Sequence, residues 1–545
     1  MAAAQQGVLV ADARPASVES PPGQRTMWLV LAFATAVAVA LRFPFLGHQS
    51  LWFDETYTRS ILREPTLTGL WDHVKLTEST PPLYYLLEWL IHARSAAAMR
   101  LVPALALTVA VPIGYLAFRR LIGPRAALAS AAILAVNPML VAYATDARSY
   151  GLFVLTGLLT VWGFSALLDG GSARSFALWA IASIACVWTH YFGVFLVGAE
   201  VLVLLALRPP PTRRTTLGWT VLVGVCLIPL IPLIKSQTGN ERAGFIAAMP
   251  LGKRLTEAVR QFAMGANVPR TWLEAAGLAI FCIAVAAGTW LALRPSAAQE
   301  PRASQPSASR EPHVSQLSAE QDPRTAQPSA SREPHVSQPS AEQDPPAPPS
   351  NARQGPRALL ALAVIAFGTP LLLSALKIED RFYARNVIVA LPLVAALAAP
   401  ALLRLRAAPL ALYLALATLA SVWVATNWRY EQVDWHSAIA RAEALEPHAP
   451  VIAMTELSAP VAQVYLARRP ASAAIATQSV WMIVEPLRSA GERALTPVPI
   501  PALSGFTPQR TLQVHGFQLV LLDAAKPTPI APGEVPEGTV FPSRG

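Results

Sequence analysis

Apolar residues in this chain do not alternate with polar ones. They come in unbroken runs of helical length, at about 27–46, 98–118, 124–143, 150–168, 175–189, 191–207, 215–234, 271–293, 357–376, 385–403 and 407–426. Each is near the roughly 17–25 residues that a helix needs to cross hydrocarbon. No segment shows the period of two of a membrane barrel strand. Backbone polar groups in lipid must pair within their own segment, so the runs are expected to be α-helices. The pattern therefore predicts a mainly α fold: a polytopic membrane helix bundle of about eleven transmembrane helices. Pro81 to Arg94 leans apolar as well, but Glu88, His92 and Arg94 interrupt it. A short interfacial helix with Pro81 and Pro82 in its first turn suits it better than a twelfth span.

The segments between and after the runs set the expected domains. Residues 1–26 are rich in Ala, Pro, Ser and Gln and read as a disordered tail. Residues 27–293 form a first transmembrane module whose first outer loop is 47–97. Residues 294–356 are a linker in which the stretch from Gln305 to Gln316 recurs from Gln327 to Gln338. That repeat is Pro, Ser, Gln and Glu with nothing to bury, so it reads as a disordered tandem expansion and not a solenoid. Residues 357–426 supply the last three spans. Residues 427–545 return to a soluble composition, with a helical period from Asp434 to Glu446 and strand-like Val451–Met454 and Leu512–Leu522. They are expected to form a small α/β domain.

Composition agrees: 53% of the 545 residues are hydrophobic and 14% charged, against about 25% charged in soluble proteins. Mean hydropathy is +0.41. The net charge of +10 does not argue for nucleic acid, because the basic residues fall in short groups between apolar runs. Arg119, Arg120, Arg125, Arg174, Arg208, Arg213, Arg214, Arg404 and Arg406 all fall on one side of an eleven-span topology. The positive-inside tendency makes that side cytoplasmic. The N-terminus is then cytoplasmic and the C-terminal domain periplasmic or extracellular, in a bacterial inner (cell) membrane. The first run, continuing into Arg42-Phe43-Pro44, reads as an uncleaved signal anchor. Cys186, Cys226 and Cys282 lie inside apolar runs and have neither disulfide nor metal-site character.

The outer side also gathers chemistry. Residues 51–57 read Leu-Trp-Phe-Asp-Glu-Thr-Tyr, and 80–85 read Thr-Pro-Pro-Leu-Tyr-Tyr. A carboxylate at mid-bilayer costs roughly 2.5–3.5 kcal/mol, so acids near hydrocarbon tend to be functional. Asp146, Arg148, His190, Lys377, Arg381 and Arg385 fall on the same side. Basic residues there run against the positive-inside tendency.

The order of L-W-x-D-E-x-Y, P-P-L-Y-Y-L-L, Tyr143–Tyr150, Thr189-His190-Tyr191-Phe192, Arg381-Phe382-Tyr383-Ala384-Arg385 and Asp434-Trp435-His436 resembles the GT-C superfamily of membrane glycosyltransferases. It is most similar to the branch with the protein O-mannosyltransferases and the aminoarabinose and lipopolysaccharide-core transferases. The resemblance covers residues 27 to about 440 except the linker. Thr80 departs from it, since relatives often carry His or Asn there.

The resemblance implies transfer of a sugar from a polyprenyl-phosphate donor to a lipid, glycan or protein acceptor. Asp54 would be general base, and attack opposite the phosphate would invert the anomeric centre. Glu55, Tyr57 and Tyr84 would position the acceptor or the loop, since neighbouring side chains point different ways. Arg148, His190, Lys377, Arg381 and Arg385 would hold the donor phosphate, with Asp146 a secondary acid. Membrane lipids are expected partners and nucleic acid is not. A divalent metal stays open and the sequence does not require one; Asp54, Glu55 and Asp146 could offer carboxylate oxygens. Trp435 and His436 read as domain packing. A transporter or lipid flippase is the rival reading. It is disfavoured because the polar residues gather at one face and no internal symmetry shows. A non-catalytic scaffold would leave the gathered charges unexplained.

Overall fold

The computed structural model describes residues 23–238, 244–269, 271–294, 354–427, 434–454, 458–485, 488–489, 492–493 and 499–543. Most of the expected N-tail and of the 294–356 linker lies outside the described residues. All eleven apolar runs are helical. Among the described residues, six helices are long and apolar enough to cross a membrane: Gln24–Phe45, Ala96–Ile122, Tyr150–Leu168, Trp272–Leu293, Gln354–Ala375 and Leu405–Thr426. Ala173–Thr189, Gly193–Leu207 and Ile388–Leu402 are shorter apolar helices.

The remaining two runs are broken. Pro124–Val136 and Pro138–Ala144 meet at 53°, and Thr212–Leu227 and Leu230–Thr238 at 55°. The first break has a visible cause. Pro138 cannot supply the helical N–H that would carry the first helix onward. Asn137 covers the exposed end of the second: its Oδ1 accepts from the backbone N–H of Met139 at 3.0 Å and Leu140 at 3.2 Å. Its Nδ2 donates to the Phe262 carbonyl at 2.9 Å. The break is thus fully hydrogen-bonded inside the bundle, as apolar surroundings require. Pro229 lies in the second break, between Leu227 and Leu230.

The first loop is helical too. Phe53–Ile61, Leu67–Thr77 and Leu83–Leu90 fold over one end of the bundle. The last has eight residues with Pro82 as its N-cap, too short to span. Leu251–Met264, not expected from the sequence, is amphipathic and buries Arg254, Ala258, Gln261 and Phe262.

The C-terminal domain holds a five-stranded mixed sheet. Its strands are β1 (Val451–Met454), β2 (Ile475–Val484), β3 (Thr507–Val514), β4 (Phe517–Ile530) and β5 (Gly538–Phe541). The order across the sheet is β3-β4-β2-β1-β5, and only β1 and β2 run parallel. The expected strand Leu512–Leu522 is two strands of a hairpin. His515 (φ 48°) and Gly516 (φ 86°) form the turn between them, the two positive-φ positions of a two-residue type I′ connection. Strand β2 lacks alternation in its buried half, Val480–Val484, because both faces there are covered. Helix Trp435–Leu445 starts where its period begins, with Asp434 accepting from the Ser437 N–H at 3.2 Å.

This domain sits on the first loop. Ser50 Oγ donates to Asp434 at 3.1 Å and accepts from the His436 N–H at 3.1 Å. The Leu51 N–H donates to Tyr465 Oη at 2.6 Å. Trp52 and Phe53 pack against the core that contains Trp435, Trp481 and Phe517. Trp435 is fully buried there, and His436 stands beside the Tyr465 ring at 5.9 Å.

Candidate active site

Helix Phe53–Ile61 separates its two acids. Asp54 and Glu55 occupy its first turn, where the helix dipole favours carboxylates. Their side chains project about 100° apart and meet different surroundings. Glu55 turns inward and is fully buried. Arg100 grips it through Nε at 2.7 Å and a terminal nitrogen at 2.6 Å. Glu55 also accepts from the N–H groups of Ala147 at 2.8 Å and Trp52 at 3.2 Å. Arg100 itself donates to the carbonyls of Leu46, Gln49 and Ser50. This pair ties the first loop to the 146–148 turn.

Asp54 turns the other way, onto a cavity of about 790 Å³. Its carboxylate is 19% exposed and pairs with Arg385 at 3.0 Å. The Arg385 guanidinium lies 5.6–5.8 Å from the ring centres of Tyr150, Phe245 and Tyr383, an aromatic cage that holds a cation in place. Tyr57, Arg148, His190 and Arg381 line the same cavity. Arg381 pairs with Glu379 at 2.8 Å.

Arg148 is engaged through both terminal nitrogens. Glu78, 2% exposed, binds it at both terminal nitrogens, at 2.8 and 2.6 Å. Arg148 also donates to the Asp54 carbonyl at 3.2 Å. Burial alone would lower the Arg148 pKa, but the Glu78 carboxylate bound to it raises it overall. Arg148 thus orients the backbone of Asp54.

His190 stacks on Phe153 with ring centres 4.6 Å apart, and its Nδ1 accepts the Phe192 N–H at 3.2 Å. Burial, then the charges of Arg385 and Arg148, push its pKa down to about 3. It is therefore neutral at physiological pH, a hydrogen-bond donor and not a cation, with Asn386 as a side-chain hydrogen-bond partner.

Asp146 lies on a second cavity, of about 390 Å³, which shares Trp52, Phe53, Tyr383 and Arg385 with the first. It accepts from Trp52 Nε1 at 3.0 Å. Burial and the nearby Glu55 charge push its carboxyl up to about 7.

Two residues expected at the site lie elsewhere. Tyr84 is fully buried in the loop core and donates to the Met99 carbonyl at 3.3 Å. Its bond lies at the end of the first loop and its side chain does not line the Asp54 cavity, because the helix it belongs to turns that face inward. Lys377 is exposed, has φ 54°, and does not line the cavity. It falls in the turn after Gln354–Ala375, before the chain reaches the site.

Several site residues escaped the sequence reading. Glu78, Arg100, Gln237 and Arg254 are buried polar groups that hold the site's framework. Gln237 accepts from Tyr191 Oη at 2.7 Å and donates to the Val74 and Thr80 carbonyls. Arg254 pairs with Asp380 at 2.7 Å. Glu78, an acid shortly before the Pro pair in the first loop, carried a usable signal. Arg254 and Gln237 carried none, since their partners are distant in sequence. The carboxylates of Asp54, Glu55 and Asp146 do not converge, and no group of three His, Cys, Asp or Glu able to hold a metal occurs among the described residues. Glu55 is also committed to Arg100. These residues do not fit a metal site.

Residues 79–235 match the family model of the dolichyl-phosphate-mannose-protein mannosyltransferases. The likeness to GT-C membrane glycosyltransferases read from the motifs holds in that stretch. Among solved structures, the apo oligosaccharyltransferase of Archaeoglobus fulgidus is similar at 13% identity and a TM-score of 0.45, over 78% of this chain and 59% of that one. ArnT from Cupriavidus metallidurans in the apo state is similar at 17% identity and 0.41, over 70% and 60%. The same protein bound to undecaprenyl phosphate is similar at 13% and 0.39, over 87% and 98%. The chain spans less than two thirds of the archaeal enzyme's length. No curated protein matches the sequence.

Proposed function

We propose that this protein transfers a sugar from a polyprenyl-phosphate donor to a hydroxyl-bearing acceptor in the large cavity. The carrying observation is the pair of Asp54 and Arg385 on the wall of that cavity, with Arg381 and the neutral His190 beside it. Asp54 takes the acceptor's proton as the hydroxyl attacks the anomeric carbon. The bond from that carbon to phosphate oxygen breaks, and the carrier leaves as polyprenyl phosphate. Arg385 and Arg381 stabilise the charge that grows on the departing phosphate, and the His190 ring N–H can donate to it. Attack from the face opposite the phosphate inverts the sugar. Arg148 acts through Asp54, fixing its backbone. The apolar and aromatic wall, with Tyr191, Phe192, Phe195 and Ile234, suits the first isoprene units.

Donor affinity tests this assignment. With purified protein in lipid, Arg385→Ala should weaken binding of a polyprenyl-phosphate sugar by about tenfold or more, because a charge-assisted phosphate contact is lost. Arg385→Lys should recover part of it, as a point charge without the fork. Normal binding by both variants would exclude Arg385 from the donor site.

A further inference from the structure

Helix Phe53–Ile61 has a second face that the reaction does not use. Opposite the catalytic cavity it forms, with helix Ala459–Leu466 of the C-terminal domain, a cleft of about 560 Å³. Arg59 lines it from the loop helix, Arg63 from the turn just after that helix, and Arg468 and Arg469 from the stretch after Ala467. No carboxylate among the described residues lines it. Arg468 is held by Glu443 at 2.7 Å and the Pro542 carbonyl at 2.8 Å. Arg59, Arg63 and Arg469 form no ion pair among the described residues. Glu64, the acid next to Arg63, is drawn off to His73 at 2.8 Å. Burial and then the charge of Arg63 lower the Arg59 pKa, which is what uncompensated like charges do to each other. Ala467 at φ 54° holds the left-handed backbone that brings the arginine pair to the cleft, a conformation few non-glycine residues adopt. Guanidiniums gathered in a cleft without counter-charge raise the local potential for an anion. Their planar forks match the oxygens of a phosphate group.

We infer that this cleft binds a phosphate group, presented either by a soluble or glycan-borne phosphoester or by a lipid headgroup. Tyr57 lines both this cleft and the Asp54 cavity, so a molecule anchored here lies one helix width from the reaction site. Occupation of the cleft does not depend on Asp54 transferring a sugar.

The full-length protein can be treated with phenylglyoxal, an arginine reagent, and the modified positions read by peptide mass spectrometry. One arm adds inorganic pyrophosphate to protein in detergent. The other compares bilayer nanodiscs of phosphatidylglycerol with nanodiscs of phosphatidylcholine. Joint protection of Arg59, Arg63 and Arg469 by pyrophosphate, or by phosphatidylglycerol over phosphatidylcholine, supports the site and tells which source occupies it. The residue-by-residue readout separates this cleft from Arg381 and Arg385. Arg469→Gln should weaken protection of Arg59 and Arg63 about tenfold, the usual loss for one charge-assisted phosphate contact. Equal reactivity of the three arginines with and without both probes would overturn the inference, whatever the fate of Asp54 variants.

Discussion

At the residue scale, two adjacent acids meet opposite surroundings. Glu55 is buried against Arg100, and removing one partner of such a pair leaves an uncompensated charge, at a cost of about 3–5 kcal/mol. Glu55→Gln should therefore lower the melting temperature of the purified protein well below that of Asp54→Asn, whose carboxylate is partly solvated. Equal melting of the two variants would contradict the assigned roles. Asp146 makes a pH statement. Its folded pKa, about 7, lies above its ordinary 3.8. Across that window the folded chain keeps a proton that the unfolded chain releases, so stability falls as pH rises from about 4 to 7. Thermal unfolding across this range should show the fall, and Asp146→Asn should flatten it. An unchanged slope in the variant would place the titrating group elsewhere.

At the element scale, the bends matter as much as the spans. Asn137 closes the gap between Pro124–Val136 and Pro138–Ala144 and so aims the chain toward Asp146 and Arg148. Asn137→Ala removes a cap worth about 0.5–2 kcal/mol and leaves the Phe262 carbonyl without its donor. Lower thermal stability with donor binding retained is expected, and an unaltered melting curve would count against the bend being held this way. All eleven apolar runs were legible, because hydrocarbon forces helix on any run of that length. The bends were not, since Pro138 and Pro229 sit inside runs of uniform hydropathy. The hairpin turn at His515-Gly516 was missed because the flanking apolar residues read as one strand. Strand β2 was missed because its outer half carries Thr, Gln and Ser.

At the scale of the molecule, loop, bundle and C-terminal domain meet around one site. Arg381 and Arg385 were legible as basic residues that run against the positive-inside tendency of the expected topology, and Asp54 as an acid next to an apolar run. What assembles them was not. The ion pair of Asp54 with Arg385 joins residues 331 apart, and the docking of Ser50 on Asp434 joins residues 384 apart; no local pattern records such contacts. Tyr84 falls in a motif and Lys377 among the gathered charges, yet both lie off the cavity, since a place in the chain does not fix the direction of a side chain. The central claim, that Asp54 is the base of a sugar transfer, is tested most directly by single-turnover transfer in lipid. With wild-type and Asp54→Asn protein loaded with a polyprenyl-phosphate sugar, transfer should slow by roughly 10²–10⁴-fold, the usual worth of general-base catalysis, while donor binding persists. Transfer by Asp54→Asn at a near-normal rate would contradict the account.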